Sequence, residues 1–117
     1  LATYCGYPDA ERDNRIMEMN FGDWEMKSFD EISDPRLKEW YADYINVPAT
    51  NGESFAIQYQ RVASFLDELK EKNYEKVAIF AHGGVLICAQ LYAGAIKQEE
   101  AFSALTPYGG IIQLRLD

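Results

Sequence analysis

Apolar residues recur at helical spacing through the middle of this chain and run together near its end. Phe55, Tyr59, Val62, Leu66 and Leu69 share one face, predicting a long amphipathic helix that ends at about Lys72. Thr50-Asn51-Gly52-Glu53 fits a capping box at its start. A shorter helix is predicted before it, with Asp34 as N-cap and Pro35 at the first helical position. Leu37, Trp40, Tyr41 and Tyr44 give that helix an aromatic stripe. Residues 76–81 are short and nearly all apolar, the pattern of a parallel-sheet strand covered on both faces. Residues 85–96 are apolar and alanine-rich and read as a buried helix, and 111–116 read as a closing strand. Residues 1–6 resemble a helix end stopped by Gly6 with Pro8 behind it. Residues 15–21 read as extended or loop-like, 20–25 as a turn about Gly22, and 28–32 as a short helix. Loops are expected at 46–52 and 106–110, and a helical turn at 97–102.

Strand, tight Gly-Gly turn and helix follow one another at Ala81-His82-Gly83-Gly84. The expected class is α/β: a mainly parallel sheet flanked by helices in three α/β/α layers. His82 would then stand at the carboxyl end of a strand, where open α/β sheets bind ligands. The N–H groups of Gly83 and Gly84 would lie beside it, able to hold an anion. Histidine next to an anion cradle suggests phosphoryl chemistry; a satisfied core histidine fits the same segment equally well.

Composition narrows the classes. At 117 residues, 48% hydrophobic and 14% aromatic, one globular core is expected. No apolar stretch reaches membrane-spanning length, and the start does not resemble a signal peptide. Cys5 and Cys88 have neither metal nor redox spacing, so a reduced, cytoplasmic setting is the default. The formal charge of −8 argues against nucleic acid and anionic membranes as partners. A phosphate site here must draw on local cations and backbone N–H groups.

Individual residues carry two readings each. Glu18, between Met17 and Met19, would have its pKa raised by burial and so suit a general acid; taken alone, the residue fits a solvated loop better. Glu53 and Ser54 could reach a substrate, although capping a helix explains Glu53 as well. Trp24 could stack on a substrate or fill the core, Arg61 reads as surface or structural, and Tyr108 with its glycines makes a turn.

Three segments together resemble one family. Ile16-Met17-Glu18-Met19-Asn20-Phe21-Gly22-Asp23-Trp24-Glu25, Asn51-Gly52-Glu53-Ser54 and Phe80-Ala81-His82-Gly83-Gly84-Val85-Leu86 occur in the order of the histidine phosphatase, or phosphoglycerate-mutase-like, superfamily. The first is most similar to its bacterial α-ribazole phosphatase branch. The resemblance implies a phosphomonoesterase in which a nucleophilic histidine takes the phosphoryl group and water hydrolyses the phosphohistidine. It implies His82 as the second, stabilising histidine, Glu18 as proton donor and Gly83 as an N–H donor to the phosphoryl oxygens. Gly84, Ser54 and Trp24 are the further substrate-binding candidates. No cofactor or metal is implied, and the partner is a small phosphorylated metabolite, with α-ribazole 5′-phosphate the best match.

The family's Arg-His-Gly nucleophile motif does not occur here, and His82 is the only histidine. Residues 1–117 thus resemble the C-terminal two-thirds of one such domain, with the first strand missing and an exposed sheet edge through which copies would associate. Ile87 stands where many members carry arginine. A broad-specificity phosphatase, a phosphoglycerate mutase, a non-catalytic phosphate-binding module and an inactive fragment are the alternatives.

Overall fold

The structure is a computed structural model and describes residues 1–116, the side chain of residue 102 apart. Three α-helices carry it: α1, Arg36–Ala42; α2, Phe55–Glu71; and α3, Gly83–Tyr92. Single 3₁₀ turns lie at Asn14–Ile16, Gly22–Trp24, Phe29–Glu31, Gln98–Glu100 and Phe102–Ala104.

Most of the predicted helical elements are present with shifted ends. α1 starts one residue later than expected, with Pro35 as its N-cap, while the Asp34 carboxylate accepts from the N–H of Arg36 at 2.9 Å and its carbonyl from that of Leu37 at 3.1 Å. α2 starts later than the Thr50 capping box would have it. Ser54 is its N-cap and accepts from the Ile57 N–H at 3.3 Å, while the Thr50 hydroxyl donates to Asp34. Asn73, at φ 54°, ends the helix in the left-handed region that Asn tolerates. α3 begins two residues before its expected start, with His82 as N-cap, and stops four before its expected end. Gly94, at φ 72°, turns the chain there and donates to Leu91.

The sheet is the correction. Among the described residues there is no strand, so the chain is not α/β with a parallel sheet. A strand is a two-party structure: an apolar run becomes one only when another backbone lies about 4.8 Å away to complete its ladder. Among the described residues, 76–81 and 111–116 are irregular and form no strand ladder. The first run is also not covered on both faces. Val77 is 48% exposed, and Ile79 turns with Ile112 and Leu114 toward one apolar groove over Val62, Leu66 and Val85. The sheet edge expected to bring copies together is therefore absent as well.

α2 packs on α3 and on the 14–16 turn. Met19, Phe55, Val62, Leu66, Val85, Ile87, Cys88 and Ala101 are buried between them. Ile87 thus serves as core. A second cluster forms around Trp24, Trp40 and Ala49, with the two indoles edge to face at 6.0 Å. The chain exposes 8658 Å², against about 6,500 Å² for a self-contained domain of this mass. Its radius of gyration is 15.3 Å, against about 13 Å for a compact domain of this length.

Candidate active site

The segment that carries Glu18 is held from α2. Asp13 caps the 14–16 turn by accepting from the Arg15 N–H at 2.9 Å, and Arg15 reaches across to Glu68 of α2 at 2.8 Å. About two turns of α2 further back, Arg61 donates to three carbonyls of the segment: Arg15 at 2.8 Å, Met17 at 2.7 Å and Glu18 at 3.2 Å. Its Nε and Nη2 hold the Glu53 carboxylate in a fork, both at 2.9 Å. That guanidinium holds Glu53 below the usual carboxylate range, helped by the Asn20 N–H. Arg61 is thus structural, one of the two readings open for it, and its donors are already engaged.

Pinned in this way, Glu18 projects its half-buried carboxylate to the amino end of α3. Oε2 accepts from the Gly84 N–H at 3.2 Å. Oε1 accepts from the Met19 N–H at 2.9 Å and from Nε2 of Gln58 at 3.0 Å. Gly84 is required by this approach: a Cβ there would sit 2.3 Å from Glu18 Oε1 and 2.9 Å from Gln58 Nε2. His82, exposed, precedes the helix in extended conformation and makes no side-chain cap bond. The Gly83 N–H donates to no other described residue. An exposed imidazole, an open N–H and a carboxyl group therefore meet the first turn of one helix, where the macrodipole favours negative charge.

The other candidates lie elsewhere. Ser54 is 3% exposed and occupied in capping α2. Trp24 is 4% exposed in the aromatic cluster, its indole N–H on Asp34 at 3.2 Å. Tyr108 is exposed in a turn. Sequence reasoning missed Gln58. The signal was there: 58, 62 and 66 are one helical row, and Gln58 is the polar member of a buried stripe. Cys88, on the next turn of α3, has its thiol pushed up to about 12 by burial. Among the described residues no group of three or more His, Cys, Asp and Glu could hold a metal, and no helix is long and apolar enough to cross a membrane.

Comparison with known proteins decides the family. The profile of the histidine phosphatase superfamily (branch 1) matches residues 1–117. The chain belongs to the histidine phosphatase superfamily. Among its relatives, "Putative phosphoserine phosphatase 2" of Hydrogenobacter thermophilus is 28% identical over 108 residues, 90% of this chain and 53% of that protein. "Adenosylcobalamin/alpha-ribazole phosphatase" of Escherichia coli is 36% identical over 75 residues, 61% of this chain and 37% of that protein. Its namesake in Salmonella typhimurium is 34% identical over 75 residues. The chain spans about half, or less, of the length of these relatives. Membership in this histidine phosphatase family agrees with the resemblance carried by the Glu18, Glu53 and His82 segments.

Proposed function

We propose that this histidine phosphatase chain contributes the proton donor and the phosphoryl-stabilising groups of a phosphomonoesterase that works through a phosphohistidine. The observation that carries the reading is the meeting of Glu18 with the first turn of α3, directly after the exposed His82. In the reaction a nucleophilic histidine forms the N–P bond as the ester P–O bond breaks. His82 and the Gly83 N–H donate to the phosphoryl oxygens, where negative charge concentrates. Glu18 gives its proton to the leaving oxygen, which would otherwise depart as a strongly basic alkoxide. Glu18 then takes a proton from the water that breaks the N–P bond, which releases inorganic phosphate and restores both groups. The nucleophile has to be a second histidine, because the chain holds one.

The substrate is a small phosphorylated metabolite, and α-ribazole 5′-phosphate, met in cobalamin nucleotide-loop assembly, is the best-supported choice, on the 36% and 34% relatives. O-phosphoserine is the second reading, favoured by a relative that aligns over 90% of the chain. Comparing kcat/KM for the two esters in the protein carrying this chain separates them. The mechanism is tested by Glu18→Gln, assayed on p-nitrophenyl phosphate and on an alkyl phosphate. We expect a loss on the order of a hundredfold or more for the alkyl ester and a far smaller one for p-nitrophenyl phosphate, whose leaving group is a weak base. Equal losses on both would remove Glu18 as the proton donor.

A further inference from the structure

Gln58 is fully enclosed, at 0% exposure, yet only half of its amide is used. Nε2 donates to Glu18 Oε1 at 3.0 Å, while Oε1 has no hydrogen-bond partner. A buried oxygen left without a donor is unfavourable, and Leu or Met would fill the same position in the α2 stripe without it. The two amide atoms and Glu18 Oε1 all crowd one point, within 3.1 Å of where a Gly84 Cβ would stand. A carboxylate has no proton to offer the idle oxygen; a carboxylic acid has one. Turning the amide by half a rotation about its last bond presents Oε1 in place of Nε2.

We propose that Gln58 is the positioning residue of Glu18 in both of its protonation states, donating through Nε2 to the carboxylate and accepting through Oε1 from the protonated acid. The inference rests on Glu18 being the proton donor. A group that gives up a proton and regains it in each turnover needs a partner for each state. The other two donors, the N–H groups of Met19 and Gly84, are fixed backbone and cannot accept the proton of the acid form. The remaining titratable and charged neighbours are Arg61 on α2, which is bonded to Glu53 and to the Glu18 carbonyl, Cys88 on α3 and His82 before it. None of them is bonded to the Glu18 carboxylate.

The direct test is NMR of the wild-type protein carrying this chain. The Gln58 side-chain NH₂ signals and the Glu18 carboxyl carbon are followed against pH. Both should move with one shared midpoint, and the NH₂ response should vanish in Glu18→Gln. NH₂ signals that stay still while Glu18 titrates would overturn the proposal. In kinetics, Gln58→Met, of similar shape, should lose about tenfold or more on an alkyl phosphate, far less on p-nitrophenyl phosphate, and shift the pH limb that reports the acid. A merely structural glutamine would lower both substrates alike and leave that limb in place. If Glu18→Gln itself does not separate the two substrates, the proton-donor reading fails; if it does and Gln58→Met does not, this inference alone fails.

Discussion

At the scale of the residue, two adjacent glycines at the start of α3 should respond to alanine in opposite ways. A Cβ on Gly84 meets Glu18 Oε1 at 2.3 Å and Gln58 Nε2 at 2.9 Å, the heart of the site. A Cβ on Gly83 meets only Cδ1 of Leu105, at 2.6 Å, the far end of an exposed and movable side chain. Neither glycine has a positive φ. Both substitutions favour helix by up to about 1 kcal/mol, so any loss comes from what the methyl group strikes. Gly83→Ala should melt at or above the wild-type temperature. Gly84→Ala should displace the Glu18 carboxylate, visible as lost protection of the residue 84 amide in hydrogen exchange, and lower turnover at least tenfold. Equal behaviour of the two variants would mean that the approach of Glu18 to α3 is not a constraint. His82 and Glu18 were singled out as candidates in the sequence because each sits within a run of unusual neighbours. Gln58 was not, because its meaning depends on a carboxylate forty residues away.

At the scale of the element, α2 fixes the acid-bearing segment through Arg61, and the arginine is in turn fixed by Glu53. Glu53 titrates below the usual carboxylate range in the folded chain. Its contribution is therefore fully present at neutral pH. It begins to fade as pH falls to about 4.3, where the unfolded glutamate takes its proton, and is gone once pH passes below the lower folded value. Glu53→Gln should cost about 1 kcal/mol at pH 7 and progressively less as pH falls below about 4.3, read from urea melts across that range. A penalty that stays constant with pH would show that the fork does not depend on ionisation. α1, α2 and α3 were legible because a helix closes its hydrogen bonds within its own segment, and the 3.6-residue period is written locally. The strands at 76–81 and 111–116 were misread for the converse reason. Their apolar runs specify half of a ladder, and nothing within the run states whether the other half exists. The helix ends shifted because Ser54 and Gly94 outcompeted the cap and length that pattern alone suggested.

At the scale of the whole molecule, the 8658 Å² surface exceeds that of a self-contained domain by about a third. Part of the excess is the groove where Val77 and Ile112 leave the α2–α3 core open. We expect the chain by itself to associate at micromolar concentrations in sedimentation velocity, and to turn over no p-nitrophenyl phosphate, since one histidine cannot both accept and stabilise a phosphoryl group. A monodisperse monomer would speak against the first expectation, and turnover that is lost in His82→Ala against the second. The two cysteines offer a way to watch this core open. Cys5 is exposed, while Cys88 is buried with its thiol held in the unreactive form up to about pH 12. In the presence of a maleimide the first would be labelled at once and the second only in those moments when α2 and α3 part. The chain thus carries its own stopwatch: the lag between the first label and the second times how often the helices that aim Glu18 let go of each other.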